Sequence, residues 1–148
     1  MDRIAYFILP LIAGALIAAQ APINARLRVV TGSPIASAAV SFIVGTVILV
    51  VATLAVGQGG ALVNLGGGPW WAYLGGACGA VFVFATLVAA PRVGVLATFV
   101  AVVTGQVLLS ALIDRFGWFG LPSISFGWDR VAAIVLLLAA LVLLVRRV

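Results

Sequence analysis

Apolar residues fill five blocks of this chain, at about 4–28, 34–56, 69–90, 93–114 and 128–147. Each block has roughly the 20 residues needed to cross about 30 Å of hydrocarbon. Only helices satisfy their own backbone hydrogen bonds at that depth within one segment. The pattern therefore predicts an all-α integral membrane protein, a single transmembrane domain over 1–148 with five transmembrane helices. Between the second and third blocks, QGGALVNLGGG (58–68) reads as a flexible surface loop. The third and fourth blocks are separated by little more than Pro91 and Arg92, which predicts a tight antiparallel hairpin. The longest connection, 114–129, is rich in aromatic residues, Gly and Ser, and is expected along the membrane interface.

The polar exceptions inside these blocks are few. In the first, Gln20 and Asn24 are four apart and share a helix face, while Pro22 lacks an N–H and crowds the carbonyl of Ala18. Two amides beside a loosened backbone form a candidate site for a small polar solute. Their other reading is interhelical glue worth around 1 kcal/mol. In the fourth block Thr98, Gln106, Ser110 and Asp114 form a slowly drifting stripe of multiples of four. Gln106 stands mid-span, where an amide needs a partner, and Thr98 and Ser110 extend the candidate pathway. Asp114 and Arg115 read as an interfacial ion pair. Small residues at helical spacing predict packing faces: Ser37, Ser41 and Gly45 in the second block, Gly75 and Gly79 in the third, Ala101 and Gly105 in the fourth. An echo at an offset of sixty relates Ser37, Ser41, Gly45, Gly57 and Gly60 to Ala97, Ala101, Gly105, Gly117 and Gly120, as a repeated hairpin would. The fifth block is aliphatic until Arg146 and is expected to face lipid or a partner subunit.

Composition strengthens the membrane reading: 66% of residues are hydrophobic and 7% charged, with mean hydropathy +1.38, where a soluble domain is about a quarter charged. The formal charge of +5 comes from eight Arg against three Asp. These Arg stand singly or in pairs at segment ends, which is juxtamembrane placement and not a nucleic-acid footprint. Without His, and with one Cys (Cys78), there is no metal, cofactor or disulfide framework to expect. The same poverty of acids, bases and nucleophiles argues against an enzyme. No ring of charge or filter pattern supports an ion channel.

Ala19-Gln20-Ala21 resembles a signal-peptide cleavage site, but Asp2 cancels Arg3, so the first block is expected to be a transmembrane helix. Five spans place Arg26, Arg28, Arg92, Arg146 and Arg147 on one side and Arg3, Arg115 and Arg130 on the other. The positive-inside rule then favours an outside N-terminus and a cytoplasmic C-terminus, with insertion in both orientations left open. Trp70, Trp71, Trp118, Trp128, Tyr6 and Tyr73 all fall toward the outer face, as an aromatic belt would.

The runs GALIAAQAPINARL (14–27), SFIVG (41–45), PWWAYLGGACGAVFV (69–83), APRVG (90–94) and GQVLLSALIDRFGWFG (105–120), with the final aliphatic helix, together resemble the YdcZ family of the drug/metabolite transporter superfamily. The resemblance covers nearly the whole chain. It implies a five-helix half-unit in a bacterial-type cytoplasmic (inner) membrane, surrounded by lipid. Such a unit would work as a homodimer, or as a heterodimer with a related five-helix chain, on a small-molecule solute bound among first- and fourth-helix amides. The first helix here has no carboxylate beyond Asp2, unlike the four-helix multidrug members with their membrane-embedded Glu. That departure argues against proton-coupled export of lipophilic cations and for neutral or anionic metabolites. The competing expectation is a structural or accessory membrane subunit whose amides serve only as glue.

Overall fold

A computed structural model of the chain describes residues 5–64 and 66–146, with side chains from Phe7 onward. Arg3 and Arg147, counted in the orientation reading, lie outside the described residues, as does the Tyr6 side chain. Five helices are long and apolar enough to cross a membrane: α1 (Ala5–Thr31), α2 (Pro34–Ala55), α3 (Gly75–Val93), α4 (Val95–Phe116) and α5 (Trp128–Val145). No strand occurs among the described residues. The chain divides into two compact units, Met1–Pro91 and Arg92–Val148.

In the first unit, TGSP (31–34) turns α1 into α2. Gly32 adopts φ +68, a left-handed conformation that ends α1, and its N–H bonds the Arg28 carbonyl at 2.9 Å. Ser33 then caps α2 by accepting from the Ala36 N–H at 3.3 Å, and Pro34 fits at the first helical position, where no N–H is needed. This short link packs α1 against α2. The buried positions are Ala21 and Asn24 late in α1, Ser37 and Ala38 early in α2, and Val83, Thr86, Leu87 and Ala90 late in α3. In α3 these are spaced i, i+3, i+4 and i+7, one apolar stripe. α3 meets α2 through a large-on-small fit: the Phe42 ring lies 3.2 Å from where a Cβ on Gly79 would stand. Beside it runs a cavity of about 380 Å³ whose lining, including Ile35, Phe42, Val81 and Phe84, is entirely aliphatic and aromatic.

The Gly-rich connection, expected to be a flexible loop, contains regular structure at Gly59–Leu62. Gly57 adopts φ +75 after α2, and a 3-10 turn over Gly59–Leu62 packs back on that helix. A second 3-10 turn, Trp70–Leu74, leads directly into α3.

In the second unit the chain enters α4 through Gly94, at φ +87 and ψ 152, a conformation open mainly to glycine. Gly117, at φ +64, ends α4 by bonding its N–H to the Ile113 carbonyl at 2.8 Å. The 117–127 connection folds back over this helix end. Its Ile124 N–H bonds the Asp114 carbonyl at 2.7 Å, and the Phe116 and Trp118 rings stack at 5.7 Å. α5 packs on α4, yet none of its residues is buried. Of the positions paired at offset sixty, Gly57, two residues beyond α2, and Gly117, the cap of α4, both adopt left-handed backbone, while the turns that follow differ: Gly59–Leu62 is a regular 3-10 turn and Trp118–Gly120 contains Phe119 at φ 60.

Candidate functional site: amides at membrane depth

Asn24 is the most buried polar group of α1 among the described side chains. It lies seven residues before Thr31, hence about 10 Å along the axis from the helix end. Only 3% of it is exposed. Its main-chain carbonyl accepts the Ser37 hydroxyl at 2.8 Å, a bond from α2 to α1 made by a residue of 0% exposure. Ser37, expected only as a small packing residue, therefore also clamps the backbone at Asn24. The Asn24 side-chain amide makes no hydrogen bond among the described residues. No fully occluded side-chain N or O atom among the described residues lacks a partner. The small accessible part of Asn24 therefore includes its amide atoms.

Gln20, half-buried, shares that face one turn earlier and likewise makes no side-chain hydrogen bond among the described residues. Pro22 does not join them. At about 100° per residue it lies roughly 160° around the helix from Asn24, and it is exposed. The Ala18 carbonyl that Pro22 releases is one turn below it, on the same far side. α1 nonetheless runs unbroken through Pro10 and Pro22.

On α4 the predicted stripe separates by environment. Thr98 is buried and donates its hydroxyl to the Gly94 carbonyl at 2.8 Å. Gln106, the twelfth of 22 helical residues, is exposed, and its side-chain amide has no partner among the described residues. Ser110 is exposed and donates to the Gln106 carbonyl at 2.7 Å. Two buried hydroxyls escaped the sequence reading, Thr86 and Thr104. Both bond carbonyls one turn back, Thr86 to Phe82 at 3.0 Å and Thr104 to Val100 at 2.7 Å. Self-bonding of this kind is how Thr enters apolar helices, so neither spacing nor polarity marks these two out.

The ion pair requires a correction. Asp114 pairs with Arg130 of α5, Oδ2 to Nη1 at 2.8 Å, rather than with Arg115. Residues adjacent in sequence point about 100° apart on a helix and do not face each other. Arg130, on the first turn of α5, is brought over by the folded connection.

The expected packing faces are realised in part. Ser37 is fully buried and Gly79 sits under Phe42, while Ser41 and Gly45 are half-buried. Gly75 and Gly105 are exposed with open space where a Cβ would stand, so these two make no close helix contact among the described residues, while Ala101, also exposed, lines a cleft with Leu141 and Val145 of α5. No cluster of His, Cys, Asp or Glu that could hold a metal occurs among the described residues.

A family profile described as "Putative inner membrane exporter, YdcZ" matches residues 5–143, nearly the whole chain and all five helices. The chain belongs to the YdcZ family. No match was found among curated proteins or among solved structures. Family membership and five membrane-length helices make it a multi-pass inner-membrane protein with a general role in membrane transport. Among its amides, the structure leaves Gln20, Asn24 and Gln106 without protein partners among the described residues.

Proposed function

We propose that this chain exports small neutral or anionic metabolites as a dimer of five-helix units, with its N-terminus outside. Gln20 and Asn24 of α1 are its solute contacts in the first unit, and Gln106 of α4 is its contact in the second. The observation that carries this reading is the Asn24 side chain, 3% exposed and without a hydrogen-bond partner among the described residues. Its amide nitrogen and oxygen are not sealed off, since no fully occluded polar atom among the described residues lacks a partner, so a small polar solute or water can reach them. Glue would show a partner across a helix interface, as Ser37 does. An amide held ready for a passing solute would not. Exposure of Gln106 at mid-span and an unburied α5 leave room for a second five-helix unit.

The test compares cells making the wild-type chain, Asn24→Leu or Gln106→Leu, with membrane insertion checked for each. Extracellular and intracellular metabolites are profiled by mass spectrometry. At least one small solute is expected to accumulate outside with the wild type and not with either variant. Identical profiles for wild type and both variants would sink the proposal.

A further inference from the structure

The second unit contains a separate cleft with three polar groups in an otherwise apolar lining. It lies between the end of α4 and the start of α5, offers about 150 Å³, and is lined by Ser110, Asp114 and Arg130 together with Phe126, Ala133 and Ile134 among other apolar groups. Its walls are held in place from two directions. The Asp114–Arg130 pair ties α4 to α5 at 2.8 Å, and the Ile124 N–H to Asp114 carbonyl bond draws in the connection that carries Phe126.

Each polar group has capacity left over. Ser110 spends its proton on the Gln106 and Val107 carbonyls, at 2.7 and 3.1 Å, so its oxygen is available only as an acceptor. Asp114 uses Oδ2 on Arg130, and its Oδ1 has no partner among the described residues. A guanidinium carries five N–H donors, of which the Asp114 bond takes one. Acceptors therefore belong to α4 and donors to α5. Ser110 and Asp114 are four apart, on one face of α4.

We propose that this pocket binds a small zwitterion of the amino-acid class, its ammonium at Ser110 and Asp114 and its carboxylate at Arg130. Charge decides the class. A ligand bearing a single charge would meet one group of opposite sign and one of like sign. A zwitterion separates the pair while giving each member an opposite charge, so no charge is left unpaired. Both side chains are 36% exposed, and ion pairs that accessible are held weakly enough to open. The cleft is open to one side, and its volume of about 150 Å³ accommodates a glycine- or alanine-sized molecule. The apolar wall suits a short aliphatic substituent. This inference does not rest on the amide reading, because its residues lie wholly within 92–148 and include none of Gln20, Asn24 and Gln106.

The experiment follows the thermal midpoint of the full-length chain in detergent as L-alanine, propionate or ethylamine is added. A ligand that binds only the folded protein raises the midpoint along a saturable curve, whereas general solute exclusion gives a linear one. Alanine is expected to give a saturable rise, and the two half-ligands none. In Asp114→Asn and Arg130→Gln the apparent affinity for alanine should fall by at least about tenfold, the loss of one charge-assisted contact. The idea is overturned by a wild-type protein indifferent to alanine, or by propionate or ethylamine working as well as alanine. An undiminished response in both variants would equally overturn it. The ligand series on the wild type decides the matter even if a variant fails to fold.

Discussion

Replacing Ser37 by Ala removes a single interhelical hydrogen bond, and its expected cost can be worked from the structure. The hydroxyl donates to the Asn24 carbonyl at 2.8 Å with Ser37 completely buried, so the bond is short and shielded. The carbonyl lies well inside α1, which continues to Thr31, and it keeps its own helical bond after the hydroxyl is gone. No buried acceptor is orphaned, which places the loss at the lower end of the ~0.5–1.5 kcal/mol range for a hydrogen bond. Interhelical bonds in membranes average about 0.6 kcal/mol. The expected loss is therefore about 0.5–1 kcal/mol, roughly a two- to fivefold shift in the unfolding equilibrium. Thr53→Val is the control. Its hydroxyl bonds the Leu49 carbonyl at 2.7 Å within one helix. A bond inside one helix survives when helices separate in a membrane-like milieu, so its deletion should change stability little. Reversible unfolding in mixed micelles, titrated with a denaturing detergent, measures both. Equal losses for the two variants, or no loss for Ser37→Ala, would refute the assignment of this bond to helix association.

Gly117→Ala should destabilise by about 1–3 kcal/mol, the cost of a left-handed non-glycine residue, with an added clash: its Cβ would stand 2.9 Å from the Leu121 carbonyl. The same unfolding titration checks it, and a neutral result would mean that the 117–127 fold-back is not part of the stable structure. The two glycines of the 75–79 repeat should behave differently. Gly75→Ala meets open space and should be neutral or gain up to about 1 kcal/mol from helix propensity. Gly79→Ala must displace the Phe42 ring, already 3.2 Å away, and should lose that gain or more. A Gly75→Ala protein less stable than Gly79→Ala would show that Gly75 faces a close neighbour, such as a second chain.

Some of this was readable from residue order. Length and uniform apolarity suffice to place membrane helices, and α2, read as 34–56, spans Pro34–Ala55. Gly94 and Gly117 stand where a chain that must stop one helix and start another needs left-handed backbone, and glycine spacing hints at both. The 3-10 turn at Gly59–Leu62 was not readable, because Gly-rich composition marks conformational freedom and not the turn that packing against α2 selects. The partner of Asp114 was missed for a geometric reason. Proximity in sequence favoured Arg115, but the fold-back of the connection brings in Arg130. Spacing by four correctly joined Gln20 to Asn24, while Pro22, although adjacent in sequence, belongs to the opposite side of α1. The hydrogen bond of Ser37 is a tertiary event, invisible in a small-residue pattern.

The central claim is that the Asn24 amide is kept for transport and not for the fold. Its most direct test is the unfolding free energy of Asn24→Leu against wild type, measured in the same micelles. Replacing an unpartnered amide by an apolar side chain of similar size removes no hydrogen bond within the fold, so it should leave stability unchanged or raise it. A loss of about 0.5–2 kcal/mol, as expected for removing an interhelical hydrogen bond, would contradict the claim and make Asn24 a structural residue.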